Sequence, residues 1–236
     1  MASDPPAVVR AATFNARHGA VGRAGITFRH GGLLATCRSL DADVLALQEL
    51  DRGSARSLFR DQPTVIARHL GMDVATAPAR RTPVGGWQCN AICARGVVGD
   101  VAVVELPRRA GHERRVALLA TVRTPGLTVS VACTHLQHRG GAAPEQLAFL
   151  LHALDERPAP RLLAGDLNLE PPAVEPLLGA HGYTAAPSGP TSPARAPRRR
   201  IDWIAATSDL ELAHVMVPEP VVSDHRPVVA EMRSTP

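Results

Sequence analysis

Short apolar runs recur along the chain and predict a series of buried strands. The runs are separated by glycine, proline and polar residues, which is the punctuation expected between strands. They lie at residues 8–14, 44–47, 91–93, 97–104, 116–122, 127–133, 161–164, 201–205, 210–217 and 227–232. Because these runs occupy both halves of the chain, sheets should form most of the core.

Apolar residues spaced three and four apart predict a smaller number of helices between the strands. The clearest helix follows Pro144 and carries Leu147, Leu150, Leu151 and Leu154 on one face. Further helices are predicted around residues 33–40, from 63 to a stop at 71, and at 174–178, whereas 187–197 should form a loop. A length of 236 residues suits one α/β domain, with a core from about residue 8 to 233.

Polar motifs fall at the ends of these apolar runs. Strand ends are rigid and tend to meet in one cleft, which is where many enzymes place their chemistry. The motifs are, in order, Thr13-Phe14-Asn15, Gln48-Glu49, Thr134-His135-Leu136, Gly165-Asp166-Leu167-Asn168, Arg200-Ile201-Asp202-Trp203 and Ser223-Asp224-His225. We therefore predict that these six motifs form one site.

The residue types in the motifs suit hydrolysis of a phosphate ester. Carboxylates and amide oxygens are the ligands that Mg²⁺ and Mn²⁺ prefer, and Glu49, Asp166 and Asp224 supply carboxylates. His135 and His225 supply imidazoles that titrate near neutral pH. These observations predict a metal-dependent phosphoesterase.

Composition narrows the function classes only modestly. The formal net charge is +4 and all 26 basic residues are arginine, which pairs well with phosphate. The lack of lysine beside abundant alanine, proline and glycine is, however, typical of genome base composition. Seven aromatic residues leave little material for a base-stacking surface. With no apolar stretch near 18 residues and no signal peptide pattern, we expect a cytoplasmic monomer without a membrane span.

Taken together and in order, the six motifs resemble those of the endonuclease/exonuclease/phosphatase superfamily. This superfamily includes deoxyribonuclease I, AP endonucleases, neutral sphingomyelinases and inositol-polyphosphate 5-phosphatases. The resemblance implies a four-layered α/β sandwich, with two mixed β-sheets packed face to face and helices outside. It also implies that Mg²⁺, or Mn²⁺, is the cofactor.

The resemblance further implies a role for each motif residue. Glu49 would be the principal metal ligand, with Asn15 and Asp224 near the same ion. Asp166 and Asn168 would position the attacking water and the phosphoryl group. His225, oriented by Asp202, would act as general base or as a charged stabiliser. His135 would contact a phosphoryl oxygen or the leaving group.

Two further residues are candidates for the substrate phosphate, Arg17 and Asn90. Arg17 flanks the first motif, and Asn90 lies in a segment that resembles the Gly-Asn-Ala strand of the superfamily. Arg17 also stands where AP endonucleases carry an acidic residue, and His135 where they carry a tyrosine. Both differences count against abasic-site repair.

The sequence thus predicts a hydrolase that attacks phosphodiester, or phosphomonoester, bonds directly with water. Nucleic acid is the favoured substrate. The alternatives are a phospholipid, an inositol phosphate or a small phosphodiester. An alternative of another class is a binding module that has lost catalysis, although loss of activity normally erodes costly polar clusters, and this one is intact.

Overall fold

The computed structural model describes residues 7–21 and 27–235. Four α-helices lie within these ranges: α1 (His30–Ser39), α2 (Gln62–Leu70), α3 (Ala143–Asp155) and α4 (Pro171–Ala180). α2 shows how local sequence sets these elements. The Asp61 carboxylate accepts a hydrogen bond from the Thr64 amide at its start, and Gly71 ends it with a left-handed backbone.

Six strands form the first sheet: β1 (Val9–Asn15), β4 (Val44–Arg52), β5 (Asp73–Arg81), β6 (Trp87–Ala94), β13 (Leu210–Met216) and β14 (Val228–Ser234). Their order is β13-β14-β1-β4-β6-β5. β1 and β4 are parallel, whereas the other neighbours are antiparallel. The first sheet is therefore mixed.

Six further strands form the second sheet: β7 (Val97–Glu105), β8 (Val116–Thr124), β9 (Leu127–His135), β10 (Arg161–Asp166), β11 (Tyr183–Ala185) and β12 (Asp202–Thr207). Their order is β11-β12-β10-β9-β8-β7, with β9 and β10 parallel and the other neighbours antiparallel. Two short strands, β2 (Ala20–Val21) and β3 (Thr27–Phe28), pair with each other.

The two sheets pack face to face, and the helices cover their outer faces. Along β4, Val44 and Ala46 enter the core between the sheets, whereas Leu45 and Leu47 pack beneath α1 and α2. The leucines of α3 pack on the outer face of the second sheet. Burial on both faces explains why the strands read as continuous apolar runs. The predicted four-layered α/β sandwich is confirmed.

The structure differs from the predicted elements in the bounds of two elements and in four strands that were not predicted. β4 does not end at residue 47 but continues to Arg52, since a bulge lets it pass through Gln48-Glu49. α4 starts before residue 174, because Pro171 and Pro172 suit a first helical turn. β2, β3 and β11 were not predicted, as two or three residues are too few to show a pattern. β5 was not predicted because its buried positions are only alanines, which alternate with partly exposed residues. No helix among the described residues has the length and apolarity needed to cross a membrane.

Candidate active site

A β-bulge in β4 aims Glu49 into a cleft. Between Leu47 and Leu50 the pairing with β6 gains one extra residue on β4, and such a bulge redirects side chains. Glu49 takes a left-handed backbone with φ of 57°. As a result Gln48 is buried between the sheets, while the carboxylate of Glu49, 21 % exposed, lines the cleft.

Strand register brings three further motif residues into one row. Asp166 ends β10 and lies opposite His135 on β9 and Asp202 on β12. Gly165, before Asp166, allows this close approach, because a Cβ at that position would lie 2.3 Å from the carbonyl oxygen of Thr134. The register thus places two buried carboxylates and an imidazole side by side.

Asn15 links the two sheets at this point. Its Nδ2 donates to Asp166 Oδ2 at 2.9 Å and to Glu49 Oε1 at 3.2 Å, and its Oδ1 accepts from the Arg17 amide at 3.1 Å. His135 also lies between the two carboxylates, with Nδ1 3.6 Å from Glu49 Oε1 and Nε2 3.4 Å from Asp166 Oδ2. The strand ends therefore hold Glu49 and Asp166 close together across the sheets.

His135 is neutral. Burial, followed by the nearby charge of Arg115, lowers its pKa well below the ordinary value. Gln88 completes the neutral surroundings of Glu49, since its Nε2 donates to Glu49 Oε2 at 3.0 Å. Contacts from neutral groups leave the negative charge of Glu49 available to a cation.

His225 and Asp202 form a hydrogen-bonded ion pair. His225 Nδ1 lies 2.9 Å from Asp202 Oδ2, and the same oxygen accepts from the Thr191 hydroxyl at 2.5 Å. Burial acts to lower the pKa of His225, but the charges of Asp202 and Asp166 outweigh it and raise the pKa to about 10. His225 is therefore protonated near neutral pH.

Asp166 has a perturbed pKa as well. Burial raises it to about 7, Asp202 adds to the rise, and the charge of His225 opposes it. A carboxyl group that titrates near neutral pH is suited to accept a proton during catalysis.

The loop with the last motif is fixed to the end of β1. Ser223 Oγ donates to the Asn15 carbonyl at 2.6 Å, and the His225 amide donates to Ser223 Oγ at 3.1 Å. Asp224 points elsewhere: its carboxylate, 47 % exposed, lies 3.3 Å from Arg17 Nη1. Neither Asp224 nor Arg17 lines the cleft, so a metal-ligand role for Asp224 and a phosphate contact by Arg17 stay predictions.

The two remaining predicted residues have different placements. Asn168 lines the cleft, with φ of 51°, and its amide N–H donates to Asp166 Oδ1 at 3.0 Å. Asn90 is buried, and its Nδ2 donates to the Val116 carbonyl at 2.9 Å, which ties β6 to β8. Asn90 does not line the cleft, so this geometry gives its predicted phosphate contact no support.

The cleft has a volume of about 240 Å³ and is lined by Glu49, Arg80, Gln88, Glu113, Arg115, His135, His138, Asp166, Asn168 and His225. The sequence predictions missed the two arginines of this lining, Arg80 and Arg115. Arg115 is 4 % exposed, its Nε donates to Gln137 Oε1 at 3.3 Å, and its Nη2 lies 3.0 Å from Glu113. One signal was available in the sequence. Arg115 directly precedes the apolar run 116–122, and the next run, 127–133, leads to His135. Because these two runs pair as antiparallel strands, Arg115 and His135 lie at the same end of the pair.

Two groups of side chains are candidates to hold a metal ion. Asp166, Asp202 and His225 bring potential ligand atoms within 4.8 Å of one another. A protonated imidazole cannot bind a metal, however, and Asp202 already accepts hydrogen bonds from His225 and Thr191. Glu49 with Asp166 suits a hard cation better, because both are carboxylates held mainly by neutral donors.

The chain matches the model of the Endonuclease/Exonuclease/phosphatase family over residues 12–225 and belongs to this family. Its members are hydrolytic phosphoesterases that are generally dependent on divalent metals. No curated protein matches the sequence significantly.

Solved structures show the same architecture. An endonuclease/exonuclease/phosphatase from Beutenbergia cavernae is 26% identical, with a TM-score of 0.79 over 96% of this chain and 72% of that one. The human Nocturnin catalytic domain, with a bound sulfate anion, is 20% identical, with a TM-score of 0.77 over 97% of this chain and 95% of that one. A mannosyl-6-phosphatase from Bacteroides thetaiotaomicron is 15% identical, with a TM-score of 0.75 over 95% of this chain and 99% of that one. At 20% identity and below, the likeness concerns the fold alone.

Proposed function

We propose that this protein hydrolyses phosphodiester bonds by direct attack of water, with Mg²⁺ or Mn²⁺ as cofactor. The observation that carries this proposal is the composition of one cleft. Two adjacent carboxylates, Glu49 and Asp166, face it together with the protonated imidazole of His225 and the buried guanidinium of Arg115. An ester hydrolase needs each of these parts: a cation site, a proton acceptor and positive groups for the phosphoryl oxygens.

The residues that would hold the cation are Glu49 and Asp166, with Asn15 fixed between them. Asp224 would join them from the last motif once its ion pair with Arg17 opens. When bound, the cation neutralises charge on the phosphoryl oxygens and lowers the pKa of a water molecule. The two carboxylates are ligands that hard cations prefer, whereas Asn15 turns its Nδ2 toward them and holds them in place.

Asp166 would accept the proton of the attacking water. Asp166 lines the cleft, and its Oδ1 is oriented by the amide of Asn168. Asn168 Nδ2 donates to the Leu136 carbonyl at 3.1 Å, which fixes the side chain beside the cleft. Asn168 would thereby position the water molecule against the phosphorus atom.

His225 would act as a charged stabiliser. Its Nδ1 is bound to Asp202, so the Nε2–H is the group that can donate to a phosphoryl oxygen as negative charge develops there. His135, neutral and between the carboxylates, carries a single N–H and would donate it to the phosphoryl group. Arg115 would bind another phosphoryl oxygen from the opposite wall of the cleft.

Within this class we favour nucleic acid as the substrate. The formal net charge is +4, and Arg108, Arg109 and Arg139 are exposed on loops that adjoin the cleft residues Glu113 and His138. Positive charge of this kind contributes sequence-independent affinity for a phosphate backbone.

A lipid headgroup diester is the second candidate, and one observation favours it. Leu58 and Phe59 are 70% and 72% exposed in the loop that follows β4, the strand that carries Glu49. Adjacent exposed apolar side chains are suited to contact with acyl chains.

The test is nicking of supercoiled plasmid by the purified protein in Mg²⁺ or Mn²⁺, beside the His225→Ala variant and a vesicle assay with phospholipid. We expect metal-dependent nicking that falls by about 10²-fold or more in the variant. Release of headgroups without nicking would replace the nucleic acid assignment with the lipid one. Equal activity of wild type and variant on both substrates would contradict the proposed role of the site.

A further inference from the structure

One carboxylate in the cleft contacts both arginines. Glu113 Oε2 lies 3.0 Å from Arg115 Nη2 and 3.6 Å from Arg80 Nε. Glu113 is in the loop between β7 and β8, and its side chain is 39% exposed. An acidic side chain therefore lies where two guanidinium groups converge, one from β5 and one from the residue before β8.

The arginine pair is connected to the catalytic side of the cleft. Arg80 Nε donates to Gln88 Oε1 at 2.8 Å, and Gln88 Nε2 donates to Glu49 Oε2 at 3.0 Å. Arg115 is close enough to Glu49 for the two charges to influence each other. An anion bound by the two arginines would therefore lie next to the carboxylates that we propose hold the cation.

We propose that Glu113 determines substrate specificity by neutralising one of the two positive charges, so that the cleft prefers a singly charged phosphodiester to a doubly charged phosphomonoester. This inference rests on the proposed function of the same cleft and deepens it. The ligand class is a phosphate diester of any source, whether nucleic acid, lipid headgroup or small molecule.

The charges on the arginine side of the cleft support this assignment. On the arginine side, Glu113 leaves one positive charge unbalanced. A phosphodiester carries one negative charge, whereas a phosphomonoester carries about two near neutral pH, so only the diester matches.

A purely structural role for Glu113 makes the opposite prediction. If Glu113 only held Arg80 and Arg115 in place, its removal would loosen both side chains and weaken the binding of every phosphate. If it sets the charge of the cleft, its removal should strengthen the binding of dianions in particular.

The experiment is isothermal titration of the protein in saturating Mg²⁺ with inorganic phosphate at pH 8 and with dimethyl phosphate, at constant ionic strength. Glu113→Gln keeps the shape of the side chain and removes its charge. Glu145→Gln is the control, because Glu145 also pairs with an arginine, Arg109 at 3.2 Å, but does not line the cleft. We expect Glu113→Gln to bind inorganic phosphate about tenfold more tightly and dimethyl phosphate less than about threefold more tightly.

Three outcomes would overturn the inference: no phosphate binding to either protein, unchanged or weaker phosphate binding in Glu113→Gln, or the same gain in Glu145→Gln. Turnover in Mg²⁺ gives a second readout, since the ratio of kcat/KM for p-nitrophenyl phosphate to that for bis-p-nitrophenyl phosphate should rise about tenfold in Glu113→Gln. If the protein hydrolyses both substrates but Glu113→Gln changes neither the ratio nor the binding of phosphate, the role of Glu113 is refuted and the proposed function stands. The expected change in binding without any hydrolysis would refute the proposed function and leave the charge assignment standing.

Discussion

Replacing Asp202 by Asn separates the charge of the His225 partner from its shape. Asp202 is fully buried, and its carboxylate is the strongest influence that raises the pKa of His225 to about 10. Asn occupies nearly the same volume and retains an oxygen that can accept from His225 Nδ1. The variant therefore removes one negative charge while leaving the packing around β12 intact.

The size of the effect follows from the fraction of His225 that is protonated. With a pKa of about 10, about 99% of His225 is protonated at pH 8. With the ordinary value of about 6.5, only about 3% would be, a loss of about 30-fold. In the variant, burial lowers the pKa of His225 and the remaining charge of Asp166 raises it, so the ordinary value serves as the reference. If protonated His225 stabilises the transition state, kcat at pH 8 should fall by about 30-fold.

The assay is the pH dependence of kcat for bis-p-nitrophenyl phosphate in saturating Mg²⁺. Asp202→Asn should move the alkaline limb of the profile from about pH 10 to below about pH 7. Asp155→Asn is the matched control, because Asp155 pairs with His181 at 2.5 Å and neither residue lines the cleft. An alkaline limb that stays in place in Asp202→Asn would refute the reasoning, as would an equal shift in the control.

Three other predictions concern the cation site, the arginine and pH. Glu49→Gln should raise the Mg²⁺ concentration needed for half-maximal activity by about tenfold or more, and an unchanged metal titration would exclude Glu49 as a ligand. Arg115→Lys should raise KM more than about tenfold with a smaller effect on kcat in steady-state kinetics, since lysine cannot reproduce the contacts of a guanidinium; an unchanged KM would contradict a phosphate contact. The pKa of Asp166 is raised in the folded state, so its contribution to stability is lost as pH rises toward about 7. In the metal-free protein, the thermal midpoint of the wild type relative to that of Asp166→Asn should therefore decrease from about pH 5 to pH 8, and Mg²⁺ should raise the wild-type midpoint more at pH 8 than at pH 5; a difference between the two midpoints that does not change over this range would contradict the shift.

The fold could be predicted from the sequence because both sheets are buried on two faces. Continuous apolar runs such as 44–47 and 161–164 mark strands whatever their neighbours are, and motif order supplies the resemblance to the family. Strand order could not be predicted, since it depends on contacts between residues far apart in the chain. The bulge at Glu49 was also hidden, because an extra residue in one strand leaves no pattern in the other.

The candidate site was predictable where function is tied to a short motif and not elsewhere. Asp166, Asp202 and His225 belong to such motifs; strand register pairs the two aspartates, and His225 joins them from the loop before β14. Arg80 and Arg115 have no motif, and their place in the cleft depends on how β5 and β8 lie beside β6 and β9. Asn90 shows the converse. It lies in a segment that resembles a motif of the family, but its buried amide contacts the other sheet and does not line the cleft.

The most direct test of the central claim is hydrolysis of bis-p-nitrophenyl phosphate by the wild type and by Asp166→Asn, with and without Mg²⁺, and with Asp155→Asn as the control. Asp166 is the residue on which the cation site and the proton acceptor converge. The account predicts Mg²⁺-dependent turnover in the wild type and the control, and a loss of about 10³-fold in Asp166→Asn without a change in fold. Equal turnover by wild type and Asp166→Asn, or turnover that does not depend on a divalent cation, would contradict it.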